Sequence, residues 1–471
     1  MLKQNIIANF LGTGYGMLLQ FLMLPVTLHY LGPQAYGLVG IYATILAILA
    51  VLDLGLSPAL GRELARLSVL PNGKILMRST VTTLEIICIV AAISVGLIIW
   101  FGAPLLAKYW FTKSSLSVYL VTSCLQWMGL QSALQFLTGY YSSGIVGMQR
   151  IVLNNGIAAA TQTLRNIALL WLLMTNPQIE TYFIFQVAMS FITLIATGYA
   201  LYFVLPKNES LENIDFTQHA DSGLFQKFIK RYSHERFIAC RRFAAGMAAT
   251  TLSTLALTQL DKVILSKMLS LEEFGYYTIA ASIAAMLAKP AALIYGATLP
   301  RMTQLVTNGD TASLKSVYFK SSSLVSWMVL PAAGIMAGFS LPILKLYLQN
   351  SESANQVAPL VSVLTIGFAF HSCTYIPYGL TLANGWSKFG VYLGLTGTLF
   401  LMPFIIIATY YFGSLGAAFV WGLLCFSYLT IFMVLIHKKY LIGVLGHWYK
   451  EVILFPAILM VALIALGITL V

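Results

Sequence analysis

Residues 31–41 read Leu31-Gly32-Pro33-Gln34-Ala35-Tyr36-Gly37-Leu38-Val39-Gly40-Ile41. A shift of 238 residues, without a gap, arrives at Leu269-Ser270-Leu271-Glu272-Glu273-Phe274-Gly275-Tyr276-Tyr277-Thr278-Ile279. Leu31, Tyr36, Gly37 and Ile41 fall on Leu269, Phe274, Gly275 and Ile279. The register holds upstream, where Thr13, Leu19 and Leu22 fall on Thr251, Leu257 and Leu260. It holds downstream too, where Ala43, Ile45 and Ala47 fall on Ala281, Ile283 and Ala285. The two halves of the chain therefore repeat each other. Both copies start on the same side of whatever they cross, so the repeat is parallel, with its axis along the membrane normal.

What they cross follows from composition. Of the 471 residues, 59% are hydrophobic and 9% charged, and the mean hydropathy is +0.83. Apolar segments lie at 8–29, 37–59, 79–101, 116–140, 151–174, 181–204, 243–268, 275–299, 321–347, 357–383, 389–412 and 415–436, with one more at 452–471. Each is near the roughly 20 residues that a helix needs to cross hydrocarbon. The period-2 alternation of a barrel is absent, so the spans are helices, which satisfy their own backbone groups. The expected fold is an all-α polytopic membrane protein with two six-helix lobes, about 12 transmembrane helices and an extra C-terminal apolar helix. Its divisions are an N-terminal lobe at 1–204, a polar linker at 205–242, a C-terminal lobe at 243–436 and a basic turn with the last helix at 437–471. The segment Met1–Asn9 lacks the small-residue cleavage site of a removable leader.

The net charge of +12 is distributed by topology and does not signal nucleic acid. Alternate loops hold 20 of the 27 basic residues, among them Arg62, Arg66, Lys74, Arg78, Arg301, Lys315, Lys438 and Lys439. The opposite loops hold only Lys108 and Lys113. The positive-inside rule then puts the N-terminus and the basic loops in the cytoplasm. The connections on the other side, such as Tyr30–Tyr36 and Gly413–Ser414, are too short for a folded catalytic domain. Within the linker, Leu224, Phe225, Phe228 and Tyr232 share one helical face opposite basic residues, either an interfacial amphipathic helix or a solvated connection. Cys88, Cys124, Cys240, Cys373 and Cys425 have no metal-ligand or redox spacing, and no cofactor is expected.

Two cations interrupt the apolar runs: Arg165 in the fifth and Lys289 in the eighth. A charged side chain at the bilayer centre costs about 2.5–3.5 kcal/mol on insertion scales, so it turns toward a polar lumen or a partner. Arg165 either binds an anionic cargo or pairs with Asp53. Lys289 precedes Pro290, which should break or kink the helix. Lys262 is a further candidate lumen cation that could equally snorkel to the surface. Asp53 and Asp261 are buried acids, each able to pair with a cation, bind a coupling ion or accept a proton. Glu85 reads as an ordinary acid at the cytoplasmic edge. Polar stripes at helical spacing gather Thr13, Gly16 and Gln20; Gln131 and Gln135; Asn154, Thr161 and Arg165; and Thr254, Thr258 and Lys262. They either line a lumen or tie helices together.

The stretch from Asn9 to Arg66 carries Leu24-Pro25, Tyr30-Leu31-Gly32-Pro33, Tyr36-Gly37-Leu38 and Leu52-Asp53-Leu54-Gly55-Leu56. It resembles the opening of the Wzx-type polysaccharide flippases, of the multidrug/oligosaccharidyl-lipid/polysaccharide exporter superfamily. Gln259-Leu260-Asp261-Lys262-Val263 with Glu273-Phe274-Gly275-Tyr276-Tyr277 is similar to the start of the second lobe. The resemblance implies a transporter in the bacterial inner membrane that moves an undecaprenyl-pyrophosphate-linked oligosaccharide, a repeat unit of O antigen, capsule or another glycan. Its coupling ion would be H+ or Na+, and its partners the lipid bilayer and other polysaccharide-assembly membrane proteins. Arg165, Lys289 and Lys262 would then meet the pyrophosphate or acidic sugars. A drug or cation antiporter and a lipid-linked peptidoglycan-precursor flippase are the alternatives within the superfamily. A membrane polymerase or ligase would require a large outer loop, so an enzyme is not expected.

Overall fold

The breaks between helices follow the glycines and prolines. In a computed structural model of the chain, residues 2–52, 55–68, 73–206, 258–386 and 388–470 are described. Helix α1 (Leu2–Leu52) is kinked at Gly32, whose φ of 78° and ψ of 169° lie outside helical space. Pro33 follows and can supply no N–H to bridge the break. The first two spans are thus one continuous run with a corner at the expected outer turn. The same device recurs at Gly413 (φ 59°, ψ −146°) inside Lys388–Ser427, where the eleventh and twelfth spans meet.

The chain forms two compact units, Met1–Met23 with Tyr42–Leu255 and Leu24–Ile41 with Ala256–Val471. In the first, α1 is followed by α2 (Leu56–Leu67), α3 (Gly73–Tyr109), α4 (Val118–Gly147), α5 (Ile151–Thr175) and α6 (Ile179–Val204). The second span ends sooner than the apolar run at 37–59 suggests. Gly55, at φ 70°, turns the chain, and α2 starts as an amphipathic helix that hydropathy alone blends into the span. Its Leu56, Leu60, Leu64 and Leu67 are buried against Val81, Leu84, Tyr140 and Leu201 in the unit's core. A Cβ on Gly147 would stand 2.4 Å from Gly61 O, so α2 sits directly on the end of α4. The linker 207–242 and its Leu224–Tyr232 face lie outside the described residues.

In the second unit the seventh apolar segment is described only over 258–268, called α7. There follow α8 (Leu271–Ala285), α9 (Ala288–Thr307), α10 (Thr311–Gly338), α11 (Ser340–Leu348), α12 (Ser351–Cys373), α13 (Tyr375–Ala383) and α14 (Lys388–Ser427). The chain closes with α15 (Met433–Tyr440), α16 (Leu445–Trp448) and α17 (Phe455–Leu470). The break expected at Lys289-Pro290 is present as a 41° bend between α8 and α9. Asp310 caps α10; hydrogen bonds from the Ser313 side chain and N–H hold its carboxyl below the usual carboxylate range.

The C-terminal apolar run is a helical segment, Leu445–Leu470, long and apolar enough to cross. It packs parallel to α10 through Gly334-Ile335-Met336-Ala337-Gly338. Added Cβ atoms on Gly334 and Gly338 would stand 2.8 Å from Met460 O and 2.7 Å from Leu463 O. Two small residues four apart let backbones approach this closely. The all-α architecture with about 12 transmembrane helices is as expected, and the extra helix is an integral part of the second unit.

The repeat is visible as a contact inside the second unit. A Cβ on Gly37 would lie 2.2 Å from Leu271 O, and one on Gly275 would lie 2.2 Å from Pro33 O. Pro33 and Leu271 are themselves equivalent under the 238-residue shift, so residues 33–41 and α8 lock together by a local two-fold. Gln34 Nε2 donates to Glu272 Oε2 at 3.4 Å between the same equivalent positions.

Candidate functional site

Arg165 lies on α5 in the first unit, part-buried, with its Nε buried and without a hydrogen-bond partner among the described residues. Its guanidinium interacts electrostatically with the phenols of Tyr42 on α1 and Tyr182 on α6. The Tyr42 hydroxyl also lacks a partner among the described residues, whereas the Tyr182 hydroxyl is bonded to Gln186. Phe183 closes the group, edge-on to Tyr42 at 6.0 Å and to Tyr182 at 5.2 Å between centroids. Among the described residues no carboxylate pairs with Arg165; Asp53 lies outside them. A desolvated guanidinium N–H without an acceptor is costly, and the phenols of Tyr42 and Tyr182 lie beside it. The arrangement is suited to an incoming anion.

The α1 and α5 stripes meet, with different partners from those the spacing suggested. Tyr15 Oη and Thr163 Oγ1 are 2.5 Å apart. Gly16 faces Gln162, and Gly12 faces Asn155. Thr161 bonds back to Ile157 O of its own helix at 2.9 Å, and Gln20 is exposed. Gln131 is buried with its Oε1 unpartnered among the described residues, while Gln135 is part-buried. Beside the stripes, an apolar groove of about 560 Å³ is lined by Leu11, Tyr15, Leu18, Val152, Asn155 and Ala159, among others.

In the second unit Asp261 is buried, and its Oδ2 accepts from Tyr277 Oη at 2.9 Å. Its Oδ1 has no partner among the described residues. The adjacent Lys262 turns away and donates to Gln259 Oε1 at 3.2 Å, so the neighbouring acid and base do not form the ion pair. Lys289 stands exposed at the start of α9. Thr258 is part-buried on α7, and Thr254 lies outside the described residues. Among the described residues no His, Cys, Asp and Glu gather into a metal site. Sequence reasoning missed Tyr42, Tyr182, Phe183, Gln186 and Tyr277, because aromatic residues in an apolar run carry no signal of their own.

A sequence profile of the family described as polysaccharide biosynthesis protein matches residues 2–306. The chain belongs to that family. Among solved structures it is similar to the inward-facing conformation of a multidrug resistance MATE family transporter of the MOP superfamily. That match has 12% identity, 92% of this chain and 96% of that one covered, and a TM-score of 0.70. The lipid II flippase MurJ in an inward closed conformation matches at 14% identity over 99% and 97% of the two chains, with a TM-score of 0.63. A MOP superfamily transporter from Pyrococcus furiosus matches at 15% identity over 94% and 96%, with a TM-score of 0.58. At these identities the likeness establishes the fold. No curated protein sequence matches significantly. The resemblance read from residues 9–66 and 259–277 holds at the level of family and fold.

Proposed function

We propose that this membrane protein is a flippase that carries an undecaprenyl-pyrophosphate-linked oligosaccharide repeat unit across the bacterial inner membrane, with alternating access by its two lobes. The observation that carries the reading is Arg165, a membrane-embedded guanidinium whose Nε has no acceptor among the described residues. A pyrophosphate offers paired oxygens that match the planar two-pronged donor, and Tyr42 adds a hydroxyl that has no partner among the described residues. Lys289 and Lys262 supply further positive charge for the pyrophosphate or acidic sugars. Gln20, Gln131, Gln135, Thr161, Thr254 and Thr258 are the candidate polar lining. Asp53 and Asp261 are the candidate groups for a coupling ion, and the orphan Oδ1 of Asp261 supports such a role. The N-terminus and basic loops are assigned to the cytoplasm by their charge. The glycan is an O-antigen, capsule or related repeat unit, and other assembly proteins of the same membrane are natural partners.

The test measures surface polymer beside the level of protein in the membrane. Arg165→Ala and Lys289→Ala should each lose export at normal protein level, and Arg165→Lys should keep part of it. Were Arg165 only the partner of Asp53, Arg165→Ala would leave a lone buried acid and reduce folded protein. Combining it with Asp53→Asn would then restore both level and export, and that result would end the cargo-binding role of Arg165.

A further inference from the structure

In the first unit α1 and α5 run side by side in the same direction, and their contacts fix the register. Gly12 lies against Asn155, and Gly16, one turn further on, lies against Gln162. Added Cβ atoms at these glycines would stand 3.1 Å from Asn155 Cβ and 3.0 Å from Gln162 Oε1, so the seam is tight. Tyr15 Oη and Thr163 Oγ1, 2.5 Å apart, tie it on one side. That side carries the apolar groove of about 560 Å³, a volume within the range of ligand sites. Its walls are Leu11, Tyr15 and Leu18 on α1 and Val152, Gly156 and Ala159 on α5. Each trio has the i, i+4, i+7 spacing of one helix face and runs along about 10 Å of helix. Leu11, Leu18 and Val152 are all exposed.

The other side of the same seam is polar. Thr13 and Gln20 follow Leu11 and Leu18 by two residues, about 200° round α1, and both are exposed. On α5, Asn154, Thr161 and Arg165 follow Val152, Ala159 and Thr163 by the same step. Seen along the parallel helices, the rotation from seam to groove runs one way on α1 and the opposite way on α5. Both apolar faces therefore share one side of the seam, and both polar stripes share the other.

Glycines make the groove. Gly14 and Gly156 line it from the two walls, and a Cβ on either would meet nothing within 4 Å among the described residues. A glycine inside a helix costs stability. At Gly12 and Gly16 the close seam accounts for it; at Gly14 and Gly156 no such contact does. What their missing side chains supply is width between the walls. Both helices belong to segments long and apolar enough to cross a membrane, so that width stands in hydrocarbon. A straight acyl chain lies along an ordinary ridge of leucine and valine without such provision, whereas a methyl-branched chain needs the room.

We propose that this groove holds the isoprenoid chain of the cargo lipid, while the seam parts that chain from the polar stripes that meet its head. The proposal rests on the flippase reading above and adds where the chain lies. A lipid-linked oligosaccharide is divided as the seam is, into a branched hydrocarbon and a charged, hydroxyl-rich head. Seating the chain on the helix that carries Arg165 keeps the head near its cation without a contact to the sugars, so this hold is independent of the glycan.

The test reads binding and not export, so its failure is separable from failure of the flippase reading. Purified full-length protein in phosphatidylcholine vesicles is photolabelled with undecaprenyl phosphate bearing a diazirine in its chain, and the labelled peptides are located by mass spectrometry. Label should fall on residues 11–18 and 152–159. Phosphatidylcholine with a diazirine in its acyl chain, at the same mole fraction, should label them less by about fourfold or more, the share of one buried methyl group. Gly14→Leu with Gly156→Leu fills the groove and leaves Arg165 untouched. It should cut prenyl labelling there by about tenfold or more, as overpacking does, at unchanged thermal stability. Gly14→Ala with Gly156→Ala should give an intermediate loss, which holds the test open if the leucines disturb folding. Equal labelling by the two probes would make the groove an ordinary bilayer furrow and overturn the proposal, as would prenyl labelling that the filled groove leaves unchanged.

Discussion

Gly275→Ala tests what the reciprocal glycine contact does. The new Cβ would stand 2.2 Å from Pro33 O, and ordinary contact begins at 3.4 Å. The obstructing atom is a backbone carbonyl, so no rotamer change relieves it. Residues 33–41 and α8 must separate by the difference, 1.2 Å, or bend. Overpacking of this kind costs about 1–3 kcal/mol, so the interlocked state should lose roughly five- to a hundredfold in population, at about 1.4 kcal/mol per factor of ten. Gly37→Ala meets Leu271 O at the same 2.2 Å and should behave alike. The assay uses cysteines at Gln34 and Glu272, whose native side chains touch at 3.4 Å, bridged in membranes by a short bifunctional thiol reagent. In the parent the bridge should form quickly and, once formed, stop export if this contact opens during transport. In the Gly275→Ala background bridging should slow by at least several-fold. Equal rates in the two backgrounds would refute the steric reasoning, and full export by the bridged parent would refute an opening role.

Two further outcomes are expected. Reporters fused at Asn308, between α9 and α10, and at Ser351, at the start of α12, should report opposite sides, the first cytoplasmic; agreement between them would mean a miscounted span. Tyr277→Phe removes the sole described donor to the buried Asp261 carboxylate and should lower thermal stability in detergent by about 1.5–3 kcal/mol, the range for a hydrogen bond to a charged group. Asp261→Asn in the same background should recover much of that loss, and a failure to recover any would refute the reasoning from an unpaired buried acid.

The architecture was legible because its causes are local in the chain. Apolar length gives the spans, Gly32 and Gly413 give the corners, and Pro290 gives the bend in the eighth span. The repeat between residues 31–41 and 269–279 was legible as identity, although nothing in the letters says that Gly37 and Gly275 would clasp each other's chains. The α2 helix was not legible from hydropathy, since its leucines continue the preceding apolar run and only the left-handed Gly55 ends it. The site was half legible. Charge scarcity singles out Arg165 and Asp261, because each is costly in hydrocarbon whatever its neighbours are. Their surroundings are another matter. Tyr42, Arg165 and Tyr182 come from three helices, and periodicity relates only residues of one helix.

Glu85 shows the same limit from the other direction. By depth in its span it is an unremarked acid near a helix end. What sets it apart is that Tyr141 and Tyr202, from two other helices, occupy both its oxygens, and that no described cation does. A carboxylate tied to arginine would be a fixed strut whose charge never needs to change. One tied only to phenols can hold or give up a proton without breaking its surroundings, because a phenol can both donate and accept. The partner, more than the acid, therefore decides whether a buried carboxylate can change its charge in place. Glu85 and Asp261 share the phenol setting, each held by tyrosine, and Glu63, paired with Arg66 at 2.5 Å, has the arginine setting.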